Sequence, residues 1–182
     1  MKKQFVVTAT GEDRPGIVAR LTEVFVKNGA NLEESRMALL GGEFAAIILI
    51  SVPEEQIDQL KSGLASLKSL NIVASTKETQ KLHPDRFKGY IAYELKIDGA
   101  DHEGIVHTVS SYLHDRSANI QSMESEIVHA PETGTPLFCM KAIVLVPPSL
   151  SLNELRKSLT ALGDKESVEI EVRETAMPVA SF

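Results

Sequence analysis

The sequence predicts an α+β protein built from two βαββαβ domains, each a four-stranded antiparallel sheet with two helices on one face. Three observations carry this expectation. Apolar runs with strand-like patterning alternate with stretches of helical periodicity, in the order strand, helix, strand, strand, helix, strand. That order occurs twice within 182 residues. Adding 88 to each residue number carries residues 5–36 onto 93–124 without a gap and yields seven identical pairs: Gly11/Gly99, Asp13/Asp101, Gly16/Gly104, Ile17/Ile105, Val18/Val106, Ala30/Ala118 and Asn31/Asn119. Self-similarity at a fixed offset is the mark of a duplicated unit.

In the first half a strand is expected over 4–10, with Phe5, Val7 and Ala9 on one face. A helix over 14–28 follows, because Ile17, Val18, Leu21, Val24 and Phe25 recur at helical spacing. Asp13 is its expected N-cap, Pro15 fits its first turn, and Gly29 stands at C′. A strand from Asn31 to Leu40 meets Gly41-Gly42, a tight hairpin turn. Glu43 to Val52 returns as a continuous apolar strand, expected to be buried on both faces or close to it and therefore central, and Pro53 ends it. A second helix over 54–68 aligns Ile57, Leu60, Leu64 and Leu67, and a last strand over 71–79 puts Ile72, Ala74 and Thr76 on one face.

Residues 80–88 read as an exposed linker between a domain at 1–79 and a domain at 89–174, with a loose tail at 175–182. The second half repeats the order. A strand runs from Gly89 to Asp98, and a helix over 103–116 turns Ile105, Val106, Val109 and Leu113 inward. A strand over 119–129 and a longer hairpin over 129–136 come next. Matching Val52-Pro53 to Val146-Pro147 moves the offset from 88 to 94, so six residues are inserted here. A strand over 137–146, a helix over 151–162 stopping at Gly163, and a strand over 166–174 complete the unit.

Composition excludes several functions. The chain is 43% hydrophobic and 24% charged, with a net charge of −6. An acidic chain without clustered Lys and Arg is unsuited to contact along a phosphate backbone, so no direct nucleic-acid partner is expected. The longest apolar run, Phe44 to Ile50, is too short to cross a bilayer, so no membrane partner is expected. The chain goes directly into a strand, and with the single cysteine, Cys139, this leads to an expected cytoplasmic location. The histidines are not spaced as a helical zinc site: His107 and His114 lie seven apart. No nucleophile elbow, phosphate loop or Rossmann fingerprint occurs, so neither a catalytic residue nor a cofactor is assigned.

One stretch does carry chemistry. Gly11-Glu12-Asp13-Arg14-Pro15-Gly16-Ile17-Val18 joins the first strand to the first helix. A loop entering a helix presents unpaired N–H groups at a positive helix end, a setting that suits a small anion such as an amino-acid carboxylate. Such loops commonly do no more than turn the chain, but this one occurs twice, and five of the seven identical pairs lie in it.

The motif Gly-x-Asp-Arg-Pro-Gly-Ile-Val opening a helix, followed by Asn31 and Ser35-Arg36 in the next strand, resembles the ACT domain, a small-molecule sensing module of ferredoxin-like fold. The first half is similar to the N-terminal domain of the glycine cleavage system transcriptional repressors. The resemblance implies a non-catalytic cytoplasmic regulator that senses a small amino acid, glycine in that subfamily, and acts through a protein partner such as a transcription factor. It also implies where the ligand sits: Asp13, Arg14, Pro15, Gly16, Ile17, Val18 and Asn31 in the first half, and Asp101, Gly104, Ile105, Val106 and Asn119 in the second. The second loop departs from the motif, with His102-Glu103 in place of Arg14-Pro15. Backbone N–H groups near Gly16 would hold the carboxylate, and Asp13 or Asn31 would accept from the ammonium group. Two such sheets can join side by side, and their exposed edges lead to an expected homodimer. Two alternatives stay open: a regulatory subunit of an amino-acid biosynthetic enzyme, and a ligand-free assembly module.

Overall fold

The computed structural model of the protein describes residues 1–79 and 86–175. The chain divides into two compact units, Met1–Lys81 and Leu82–Phe182, and each is taken by itself. Most of the expected linker and nearly all of the expected tail, residues 80–85 and 176–182, lie outside the described residues.

The first unit runs β1 (Lys2–Glu12), α1 (Ile17–Lys27), β2 (Asn31–Leu40), β3 (Glu43–Pro53), α2 (Ile57–Ser66) and β4 (Ile72–Thr79). Single 3-10 turns extend α2 at both ends, Glu54–Gln56 and Leu67–Leu70. The strands form one antiparallel sheet in the order β2-β3-β1-β4. Its core lies between one sheet face and the two helices: Phe5, Val7 and Ala9 from β1 and Phe44, Ile48 and Ile50 from β3 meet Leu21, Phe25, Leu60 and Leu64. The alternation along β1 and β3 aims these side chains to one side of the pleat.

The second unit repeats the plan with β5 (Ile91–Ala100), α3 (Ile105–Asp115), β6 (Asn119–His129), β7 (Pro136–Val146), α4 (Leu152–Glu166) and β8 (Val168–Glu174). Its sheet order is β6-β7-β5-β8. The duplication holds in register: Lys3 faces Val52 as Ile91 faces Val146, and Gly11 faces Phe44 as Gly99 faces Phe138. Even an irregularity is repeated. The β2–β3 ladder slips at Glu33 and the β6–β7 ladder at Gln121, positions 88 apart. One extra residue at the same place in both edge strands is an inherited β-bulge.

Four expectations are corrected. β3 is central but not buried on both faces: Ile47 is 51% exposed, because the helices cover one side only. Asp13 is not the N-cap of α1, and Pro15 lies before the helix rather than in its first turn. The cap is Gly16, in the left-handed region at φ 94°, with no side-chain cap bond, and α3 starts the same way at Gly104, φ 100°. A left-handed residue turns the chain sharply into the helix, a conformation that glycine adopts without a Cβ penalty. Finally, Gly163 does not stop α4, which continues to Glu166. A Cβ there would lie 2.5 Å from the carbonyl oxygen of Val168, so the glycine permits close approach to β8.

The helix ends follow a Schellman pattern in both units. Gly29 at C′ has φ 61°, its N–H reaches Val26 O, and Ala30 N–H reaches Phe25 O. In α3 the same two bonds, Ser117 to His114 and Ala118 to Leu113, are made with Ser117 at φ 56°.

Candidate functional site

The two repeated loops are held by equivalent contacts. The N–H of Asp13 donates to Gly42 O at 2.9 Å, and that of Asp101 to Pro136 O at 3.3 Å, fastening each loop to the neighbouring hairpin. The Arg14 guanidinium donates to the carbonyl oxygen of Leu70. At the matching position, His102 sets Nε2 2.6 Å from the carbonyl oxygen of Glu166 and Nδ1 3.1 Å from that of Glu103. These bonds, with the attraction of the Glu166 and Asp101 carboxylates, raise the His102 pKa above the ordinary imidazole value.

The helix start has the donors that a small anion requires. Ile17 N–H reaches Arg14 O at 3.3 Å, and Arg20 N–H closes the first helical turn on Gly16 O at 2.9 Å. Val18 and Ala19 fall in the first turn, where a helix offers N–H groups no internal acceptor. Space is available beside them: a Cβ built on Gly16 or Gly104 meets nothing within 4 Å. Asp13, Arg14, Pro15, Gly16 and Val18 are exposed, as are Asp101 and Gly104, and Val106 is half-buried. Ile17 and Ile105 are different. They are buried in the two cores, where they anchor the helix starts.

Asn31 and Asn119 do not join their loops within a domain. Asn31 opens β2 opposite Ser51, which faces Gln4, whereas the loop leaves β1 at Glu12. The intervening β1 residues span roughly 26 Å at about 3.3 Å per residue. Asn31 Nδ2 instead donates to Glu33 Oε1 at 3.3 Å, and Ser51 Oγ donates to the same oxygen at 2.7 Å. Sequence reasoning passed over Glu33; its one available signal was a polar residue at the matching position, Gln121, whose Oε1 is buried without a partner among the described residues. It also missed the anchoring role of Arg14, whose acceptor lies 56 residues away. No helix is long and apolar enough to cross a membrane among the described residues. No group of three or more His, Cys, Asp or Glu side chains there is arranged to hold a metal ion.

A duplicated βαββαβ unit with exposed glycine-led helix starts defines a class, the small regulatory domains of ferredoxin-like fold. The sequence profile of the ACT domain matches residues 3–73. The UPF0237 protein of Methanosarcina mazei is 36% identical over 88 residues, covering 47% of this chain and 90% of that protein. The chain belongs to the ACT-domain family. The glycine cleavage system transcriptional repressor of Escherichia coli is 46% identical over 59 residues, covering 32% of this chain. The matched stretch spans about a third of that repressor's length, 31%. Among solved structures, an unknown protein from Galdieria sulphuraria superposes with a TM-score of 0.80 at 34% identity, covering 97% of this chain and all of that one. A second crystal structure, of a protein assigned as a glycine cleavage system transcriptional repressor, superposes with a TM-score of 0.68 over 96% of this chain and 99% of its own. At 21% identity it bears on the fold alone.

Proposed function

We propose that this chain is a non-catalytic regulator in the cytoplasm that binds a small amino acid, with glycine the first candidate, and relays its presence to a protein partner. The observation that carries this reading is the helix start at Gly16: a left-handed glycine with open space beside it, leading into N–H groups without internal acceptors. The Asp13–Val18 loop is the primary site and the Asp101–Val106 loop the second. Val18 N–H and its neighbour would hold the carboxylate, and the exposed Asp13 carboxylate would take the ammonium group. Asn31 and Asn119 lie too far along their sheets to serve their own loops, so their role would be toward the loop of a second chain in a homodimer. The E. coli relative's name supports glycine as ligand and a transcriptional role for the partner. The working boundaries are a domain at 1–79 and a domain at 89–174.

Signalling requires that the ligand bind two states of the protein unequally. Thermal unfolding in the presence of each of the twenty amino acids tests the reading. At ~100 times its dissociation constant a ligand adds about 2.7 kcal/mol, a shift of several degrees. Selective stabilisation by glycine supports the proposal, and by another amino acid redirects the pathway. No stabilisation at millimolar concentrations would sink the sensor reading in favour of an assembly module.

A further inference from the structure

Arg14 and His102 stand at equivalent positions, 88 residues apart, and do equivalent work by different chemistry. Each reaches from its loop to the last residue of the helical segment that precedes the final strand, Leu70 or Glu166. In both units that residue is followed by one in the left-handed region, Asn71 or Ser167, each at φ 54°. The bond therefore ties the candidate ligand loop to the junction between the second helix and the last strand of the same unit. One guanidinium nitrogen of Arg14 and both ring nitrogens of His102 are thereby engaged in holding their loops.

A guanidinium is charged at every pH at which the protein is folded, so the Arg14 bond is permanent. An imidazole is not. Both ring nitrogens of His102 face carbonyl oxygens, and a carbonyl oxygen only accepts. Only the imidazolium can donate from both nitrogens at once; the neutral ring turns a lone pair toward one of the two oxygens. The charged groups around it favour the cation from both sides. Asp101 comes from the loop, and the Glu166 carboxylate lies 3.8 Å from Nε2 at the end of α4.

We infer that Arg14 and His102 are positioning residues, and that His102 makes the second loop proton-dependent while Arg14 leaves the first fixed at all pH. The sign follows from the direction of the shift. A raised pKa means that the imidazolium bond is fully present below the ordinary imidazole value and is lost as pH rises through the folded value. The consequence for amino-acid binding rests on the function proposed above, whereas the strap itself does not.

The test is an NMR titration of the whole protein without ligand between pH 5.5 and 8.5, following the His102 ring and the exchange protection of the backbone N–H groups in 99–104 and in 11–16 (Pro15 has none), corrected for intrinsic exchange. His102 should titrate above a histidine in a short peptide, and protection of 99–104 should fall through the same range while 11–16 shows no step. His102→Arg should abolish the step and keep the loop protected at pH 8, whereas His102→Gln should leave it less protected than wild type at pH 5.5. An unshifted or lowered His102 pKa, a step in both loops, or a step that survives His102→Arg overturns the inference. If the strap titrates as described but no amino acid binds at any pH, the ligand reading fails and the strap stands.

Discussion

Gly11 lies so close to Asn71 that a Cβ on the glycine would sit 2.6 Å from the Asn71 carbonyl oxygen. Gly99 repeats the relationship, with a Cβ 2.7 Å from Val168 Cα and 2.9 Å from Ser167 O. The atoms in the way are mostly backbone and cannot swing aside. Gly11→Ala and Gly99→Ala should each destabilise the protein by about 1–3 kcal/mol, the usual range for overpacking. Gly16→Ala meets open space and bears only the left-handed penalty, about 1–2 kcal/mol. Urea unfolding of the three variants checks this. Equal costs with no change in amino-acid binding would place Gly16 with Gly11 as a purely architectural residue.

The identity of Gly16 as the cap has a practical consequence for Asp13. Its side chain is exposed and makes no hydrogen bond among the described residues, so Asp13→Ala removes no cap. The variant should stay within about 0.5 kcal/mol of wild type, as surface substitutions do. By contrast, Ser151 caps α4, its Oγ accepting from Glu154 N–H at 3.3 Å, and Ser151→Ala should cost about 1 kcal/mol. Denaturation of both, with calorimetric titration of Asp13→Ala against glycine, separates folding from binding. Loss of binding at unchanged stability supports the ammonium role; unchanged binding removes Asp13 from the site.

How much of this was legible follows from which signals are local. The strands and the Gly41-Gly42 turn (φ 61° and 85°) could be read because period-two patterning and turn chemistry are written in adjacent residues. The duplication was legible for the same reason. The start of α1 is misread because Asp13, three residues ahead of Gly16, looks like a cap, and only the backbone shows that the glycine takes that place. Gly163 reads as a stop, but its cause is the close approach of Val168 and Ile170 at the start of β8, a backbone contact that helical periodicity does not register. The Glu33 and Gln121 bulges leave no mark in the pattern, since each follows one apolar residue, Leu32 or Ile120, and runs on into another polar one, Glu34 or Ser122. The separation of Asn31 from the Asp13 loop was invisible for a topological reason: a residue after a helix returns to the far end of the sheet.

Cys139 sits on β7 between Asp98 of β5 and Glu126 of β6, on the sheet face away from the helices. Burial raises its thiol pKa, and a hydrogen bond to Asp98, with the negative charges of Asp98 and Glu126, raises it further. The thiolate is the reactive species, so a raised pKa lowers reactivity at a given pH. At pH 8.5 iodoacetamide should alkylate Cys139 more slowly in the native protein than in the urea-unfolded chain, as followed by mass spectrometry. Equal rates would mean that neither the neighbouring carboxylates nor the strand environment protects it.

Ser117 holds the place in α3 that Gly29 holds in α1, and both follow the helix in the left-handed region. The glycine adopts that geometry freely, whereas the serine bears the cost of its Cβ, about 1–2 kcal/mol. Part of that cost is offset because serine loses less backbone freedom on folding than glycine does. Ser117→Gly should therefore stabilise the protein by about 0.5–1 kcal/mol. The contacts at the site survive the change, since the bond to His114 O and the acceptance from Tyr90 Oη at 3.4 Å use only the Ser117 backbone, and the other Schellman bond joins Ala118 to Leu113. The reverse substitution, Gly29→Ser, should be destabilising by a similar amount, because its Cβ finds only the Pro53 ring at 3.7 Å and the conformational term dominates. Urea midpoints of the two variants, read with unchanged denaturant slopes, decide the matter: a destabilised Ser117→Gly would mean that the serine hydroxyl contributes more to the helix end than the left-handed backbone costs.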